Sequence, residues 1–320
     1  MKHILTIAAA CLAFASGALA ADDSPFNTSR MPYRAFDELP ATTINVGDSS
    51  VVIGYAPGGE FALPKTEIAA WVERSARTVA GYYGHFPVKK YRLLIMPVAG
   101  SGVRGGTTWG FRGAATKLRL GQGSTMAQLD TDWVLIHEMI HTAFPSMEER
   151  HHWIEEGLAT YIESIARVQS GNLDAGVMWN SLVTGMPHGE PGVGDGGLDN
   201  THTWGRTYWG GALFCLTADV QIRERTGNKM GLQDALRGIV NAGGSIERED
   251  WTLDHTLEIA DRATGTRVLE ELYAKNRDAP VDVDLAALWQ KLGISVQGGR
   301  VVFDDKAPLA NVRRAITARQ

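Results

Sequence analysis

The stretch Trp133 to Phe144, WVLIHEMIHTAF, constrains the fold more than any other in the chain. As a helix it is apolar nearly all round, so it must be buried. Yet it carries His137, Glu138 and His141, and two imidazoles with a carboxyl in a core helix are costly unless paired or coordinated. Whatever surrounds this helix must therefore satisfy three polar groups. Histidines four residues apart lie one above the other on the same helical face, so His137 and His141 can converge on one ion, with zinc the usual occupant of such a pair. Glu138 is offset by about 100° and can address a water on that ion without ligating it. A core helix whose histidines are satisfied by hydrogen bonds alone is the plain alternative.

Downstream, Trp153 to Glu163 reads WIEEGLATYIE. This run resembles the second zinc motif of the aminopeptidase branch of the gluzincins, in which an aromatic residue, two further residues, the glutamate ligand and a glycine follow in order. The resemblance places the third ligand on Glu156. Glu155 is the competing choice, but adjacent helical residues point about 100° apart and only one can reach the ion. Tyr208-Trp209-Gly210-Gly211-Ala212-Leu213 is similar to the tyrosine-x-lysine-glycine segment of the same families, including the glycyl aminopeptidases, with Gly210 in place of the lysine. Tyr208 then takes their catalytic tyrosine position, where a phenol hydrogen-bonds the carbonyl oxygen as it becomes tetrahedral.

The resemblance runs from about Val103 to Leu236. It implies a zinc metallopeptidase with one Zn2+ per chain on His137, His141 and Glu156, Glu138 as general base, and a peptide or protein substrate. Three protein ligands leave the fourth position to water, as in catalytic rather than structural zinc sites. The chain also departs from the family pattern. Only fourteen residues separate His141 from Glu156, and among them stand Glu148-Glu149-Arg150-His151-His152. His151 and His152 are alternative ligands in principle, although they lack the fixed helical offset. Met147 occupies the position where a related pattern has a third histidine.

The glycine-x-methionine-glutamate-asparagine strand that captures a substrate amino terminus in aminopeptidases is absent. Gly105-Gly106-Thr107-Thr108-Trp109-Gly110 stands in its place, and Thr107, Thr108 and Trp109 are the candidate substrate-binding residues. Such a strand can still pair with an extended peptide through main-chain bonds. It offers no acid to an α-ammonium group, so cleavage within chains is expected at least as much as removal of terminal residues. Two other readings compete: a non-catalytic zinc-bearing binding module, and a zinc amidohydrolase acting on a non-peptide or cell-wall amide.

The rest of the chain is organised as an α+β protein, strand-rich first and helix-rich second. A lobe over 21–125 is expected to hold a mostly antiparallel sheet and one long helix at Lys65 to Tyr83, where Ile68, Val72, Ala76, Val79 and Tyr83 form one stripe. A helical lobe over 126–300 is expected to have helices near 127–144, 153–168, 206–225, 231–240, 251–275 and 284–292. The zinc site falls in the cleft between lobes, as in thermolysin-like folds, and 301–320 is a C-terminal strand and tail. Gly185 to Asp199 is rich in glycine and proline, as in a flap over a cleft or, more plainly, a mobile surface connection.

Residues 1–20 read as a cleavable export leader: Lys2 precedes an apolar run ending in Ala18-Leu19-Ala20. A periplasmic or secreted destination follows. Removal of the leader takes one cation from a chain whose formal charge is already −5, and that acidity disfavours nucleic acid as a partner. Cys11 lies in the leader, leaving Cys215 without an intramolecular partner, so the core must hold the fold without disulfides. No later run reaches the eighteen or more apolar residues that a membrane span needs, so no stable membrane insertion is expected after leader removal.

Overall fold

The computed structural model describes residue 26 and residues 29–319; the expected leader, with Cys11, lies outside them. After a short helix α1 (Tyr33–Asp37), the strands β1 (Ala41–Val46) and β2 (Ser49–Tyr55) form a hairpin turning at Gly47, whose φ of 58° is left-handed. Helix α2 (Lys65–Tyr83) follows as expected, with Ile68, Val72, Ala76, Val79 and Tyr83 all buried. It ends at Gly84, in the left-handed conformation that closes many helices. Three more strands, β3 (Lys90–Val98), β4 (Val103–Trp109) and β5 (Ala115–Gly121), complete a sheet in the order β1-β2-β3-β5-β4.

The sheet is mixed, which corrects the expectation of a mostly antiparallel one. The β1/β2 and β4/β5 pairs are antiparallel, but β2/β3 and β3/β5 are parallel. The long helix α2 is the reason, because a helix between two neighbouring strands carries the chain back to its starting side and leaves the strands parallel. Strand β4 then runs along the outer edge and β5 returns inside it. Alternation sorts the side chains: Tyr91, Leu93 and Ile95 join the main core with α2, whereas Leu94, Met96 and Ala115 pack with Tyr33 and Phe36 on the other face.

The second half is helical: α3 (Met126–Asp130), α4 (Val134–Ile140), α5 (His152–Ser170), α6 (Ala175–Gly185), α7 (Gly211–Arg225), α8 (Leu232–Asn241), α9 (Leu253–Thr264), α10 (Val268–Asn276) and α11 (Leu285–Leu292). A hairpin of β6 (Ile294–Gln297) and β7 (Arg300–Phe303) and a last helix α12 (Ala310–Ile316) end the described chain. Helix α6 was not anticipated because its apolar residues form no single stripe, nor was α12. The helix expected over 127–144 is split in two. Thr131 turns its hydroxyl back to the carbonyls of Ala127 and Gln128, and the Asp132 carboxylate accepts from the Leu135 amide at 3.0 Å, starting a new helix. The helix expected over 251–275 is broken at Gly265, whose φ is 69°.

Helices α5 and α7 cross with their backbones in contact. A Cβ on Gly157 would lie 2.3 Å from Gly211, and one on Gly211 would lie 2.1 Å from the Trp153 carbonyl oxygen. Only glycine permits this approach, and it draws the Glu156 turn towards the start of α7. The glycine-rich segment before α7 is exposed at Gly192 to Gly194 and anchored beyond them: Asp195 pairs with Arg206 at 2.7 Å, and the Leu198 and Asp199 amides donate to the carbonyls of Asn276 and Arg277. Among the described residues, no helix is long and apolar enough to cross a membrane.

Candidate active site

Helix α4 runs through the core beside the edge strand β4, with His137 and Glu138 buried. His137 and His141 present their rings 5.0 Å apart at 84°, one turn from each other on a single face. Opposite them, α5 supplies Glu156, whose Oε2 lies 3.1 Å from His137 Nε2 and 3.6 Å from His141 Nε2. Among the described residues, this is the group of three donors gathered closely enough to hold a metal ion, its ligand atoms all within 4.8 Å of one another.

The donor set fits zinc. A tetrahedral ion with bonds of about 2.0–2.2 Å sets its ligands about 3.3–3.6 Å apart, and the two histidine-to-glutamate separations bracket that range. Protonation fits as well. Burial pushes His141 down to about 4, leaving a neutral imidazole with a free lone pair. Burial acts against ionisation of Glu156, but the His137 hydrogen bond and the neighbouring histidines hold its carboxyl at about 2. The neutral His141 imidazole and the Glu156 carboxylate are donors of the kind a catalytic zinc site uses, and His137 offers a second imidazole beside them.

Glu138 is held from the β4 side. The Glu138 side chain lies against Gly106, where a Cβ would stand 2.6 Å from Glu138 Cγ. Two residues on, Thr108 Oγ1 donates to Glu138 Oε2 at 2.7 Å. Thr108 also meets Thr116 Oγ1 at 2.7 Å, and the Tyr91 hydroxyl donates to Thr116 at 2.5 Å. Each hydroxyl has one proton, so a chain ending on a carboxylate has one consistent direction: Tyr91 to Thr116, Thr116 to Thr108, Thr108 to Glu138. Burial pushes the Glu138 carboxyl up to about 7, against the lowering effects of Thr108 and His137. A carboxyl poised there exchanges a proton readily near neutrality.

Tyr208 lies in a π-helical turn, Gly205–Gly210, that leads into α7. Such turns carry an extra residue per turn and often re-aim side chains at functional sites. The Tyr208 ring stacks on His137 at 6.5 Å, and its phenol feels the charge of Glu156. Burial, then the charges of Glu156 and Glu138, push this phenol up to about 12, so it remains a donor.

The remaining expected residues separate. Thr107 is exposed, with its hydroxyl on the Gly106 carbonyl, and Trp109 packs against the smaller cluster on the far face of the sheet; strand alternation directs only Thr108 towards Glu138. His151 is buried against Asp199 at 3.0 Å, away from the donors. His152 contacts Glu156 Oε1 at 3.3 Å from outside, and Glu155 is engaged by His152 and the Met147 amide.

Several residues of the site carried no sequence signal of their role. Gly106, Thr116 and Tyr91 act through contacts between separate strands, which no local pattern discloses. Glu163 borders the same cavity as His137, its carboxyl pushed up to about 7 by burial against the opposing pull of Arg167 and His137. It stands seven residues beyond Glu156 on α5, so two turns of helix place it on the same side. Asp199 accepts from His151 Nδ1, Trp153 Nε1 and the Tyr273 hydroxyl, at 3.0, 2.7 and 2.7 Å. It thereby ties the glycine-rich segment to the start of the helix that bears Glu156.

No protein-family model and no curated protein matches this chain. Solved structures do. The fold is similar to that of an aminopeptidase N family protein from Idiomarina loihiensis, with a TM-score of 0.60 and 18% identity over 81% of this chain and 50% of that one. An M1 zinc metallopeptidase from Deinococcus radiodurans has a TM-score of 0.49 and 17% identity, over 77% of this chain and 53% of that one. The chain thus spans about half the length of these structures. At such identities the likeness is one of fold.

Proposed function

We propose that this chain is a zinc-dependent peptidase, exported by the leader at residues 1–20, that hydrolyses peptide bonds with Glu138 as general base. The observation that carries the reading is the convergence of His137, His141 and Glu156 from two helices, with Glu138 fixed beside them from a third element.

Zinc held there would make a water acidic enough to lose a proton near neutrality and would draw charge onto a carbonyl oxygen. Beside such a water, Glu138 is the group that would accept a proton and pass it to the leaving amine, a transfer suited to a carboxyl near 7. The Tyr208 phenol, protonated throughout, donates to the substrate oxygen as that atom gains charge. Strand β4 is an edge strand, so one row of its main-chain groups is open to an extended peptide. Its residues facing Glu138, Gly106 and Thr108, offer no carboxylate to an α-ammonium, which favours cleavage within chains. A non-catalytic zinc module would need neither a glutamate held by a hydroxyl chain nor a tyrosine over the donors.

The test is metal content together with hydrolysis of a mixed peptide library by the chain without its leader, beside Glu138→Gln. About one zinc per chain and cleavage that vanishes in Glu138→Gln with zinc retained establish the peptidase. Zinc without cleavage moves the assignment to a binding module or a non-peptide amide, and absence of zinc removes it.

A further inference from the structure

A cavity of about 560 Å3 opens directly beside the donors, with His137 and Tyr208 in its wall, and the chemistry above makes no use of it. That volume lies within the range of small-ligand pockets. Its mouth is unusual. Trp133, Val177 and Trp204 line it, and they are 50%, 58% and 62% exposed, placing three of the exposed large apolar side chains among the described residues at one opening. Exposed apolar residues standing singly need no explanation, but a cluster beside a reactive centre marks a ligand surface.

The walls are ordered by ring contacts rather than loosely gathered. Trp133 meets His137 edge-on at 5.6 Å, His137 stacks on Tyr208, and Tyr208 stacks on Trp204 at 6.2 Å, so aromatic rings run from the mouth to the metal donors. Deeper in, Met178 and Leu182 are buried and apolar. The charged groups that line the cavity are Glu163 and Arg167, already paired at 3.4 Å, with Arg167 also donating to the Thr131 carbonyl at 3.2 Å. A charged side chain entering here would lose water and find no free partner, whereas an apolar one would cover the exposed rings.

We infer that this cavity is the specificity subsite of the enzyme and takes a large apolar or aromatic side chain next to the scissile bond. The inference rests on the peptidase reading and names its substrate class: peptides with a residue such as Phe, Trp, Leu or Met at one of the two positions flanking the cut. Filling an apolar pocket discriminates by about 10- to 200-fold per methylene-sized difference. Between Phe and Gly, a preference of at least about 100-fold in kcat/KM is therefore expected.

The experiment sequences the cleavage products of a mixed peptide library and then compares matched peptides carrying Phe, Leu, Gly, Glu or Lys at the selected position. Trp204→Ala and Val177→Ala are run in parallel; both side chains are mostly exposed, so truncation leaves the fold standing. The expected result is strong selection for large apolar residues at one flanking position, with the Phe-over-Gly ratio reduced about tenfold in Trp204→Ala. Binding supplies a readout independent of turnover: in Glu138→Gln, N-acetyl-phenylalaninamide perturbs tryptophan fluorescence and N-acetyl-glycinamide does not, and Trp204→Ala weakens the response. Glu138-dependent cleavage spread evenly over side chains at both flanking positions overturns the subsite and leaves the peptidase. Selection for acidic or basic residues also overturns it. Absence of any cleavage by the zinc-loaded chain removes the peptidase reading, and the subsite with it.

Discussion

Thr108 Oγ1 donates a 2.7 Å hydrogen bond to Glu138 Oε2 across the junction between the edge strand and the core helix. Thr108 is fed in turn by Thr116 and Tyr91, so the carboxylate proposed as the general base is aimed by the sheet and not by its own helix. In this respect β4 does more than present main chain to a peptide.

Removal of that hydroxyl should be visible in the pH profile. The bond to Thr108 favours the ionised carboxylate, so Thr108→Val raises the Glu138 pKa above its present position. As the proposed base, Glu138 would act only when ionised, so activity falls on the acid side, and the acid limb of kcat/KM should move to higher pH by about one unit. An unchanged limb in Thr108→Val would show that the bond does not bear on the reacting carboxylate.

Gly106→Ala should damage catalysis without removing metal. The new methyl would overlap Glu138 Cγ and Cδ, at 2.6 and 2.8 Å, and displace the carboxyl. A misplacement on the order of 1 Å costs about 10²-fold in rate. The expected outcome is a fall of that size in kcat with zinc content intact, measured by steady-state kinetics beside metal analysis.

His141→Ala should lose zinc, because it deletes one of the three proposed protein ligands. Since the ion binds the folded chain and not the unfolded one, a chelator should also lower the Tm of the wild type and leave that of His141→Ala unmoved. Calorimetry with and without chelator checks both statements; a variant that keeps stoichiometric zinc would contradict the ligand assignment.

Asp199→Asn should destabilise the fold by roughly 2–4 kcal/mol in denaturant unfolding, since three buried donors lose a charged acceptor. Burial alone would raise the Asp199 carboxyl, but His151, Trp153 and Tyr273 hold it below its usual value. A depressed folded pKa contributes stability that is present above the unfolded value and lost as pH falls through the folded one. The gap between wild type and Asp199→Asn should therefore be full near neutrality and close as pH falls below about 4.

What the sequence determined by itself was local. The spacing of His137 and His141 fixes two rings on one helical face whatever surrounds them, and the stripe from Ile68 to Tyr83 fixes a helix. These depend on the 3.6-residue period alone. Glu156 and Tyr208 were legible as motif positions, but their separations from the histidines were not, because the α5/α7 contact depends on Gly157 meeting Gly211 some fifty residues away. The sheet's parallel pairs were missed for a similar reason: strand periodicity reports which face a residue takes and says nothing of the neighbour's direction. The tertiary structure alone decided that Thr108, and not Thr107 or Trp109, reaches Glu138, since a one-residue change of register exchanges the faces of the whole strand. It also decided that Trp133, Val177 and Trp204 share one mouth. Contacts between segments far apart in sequence are set by packing of the whole core, and no short window of residues encodes them.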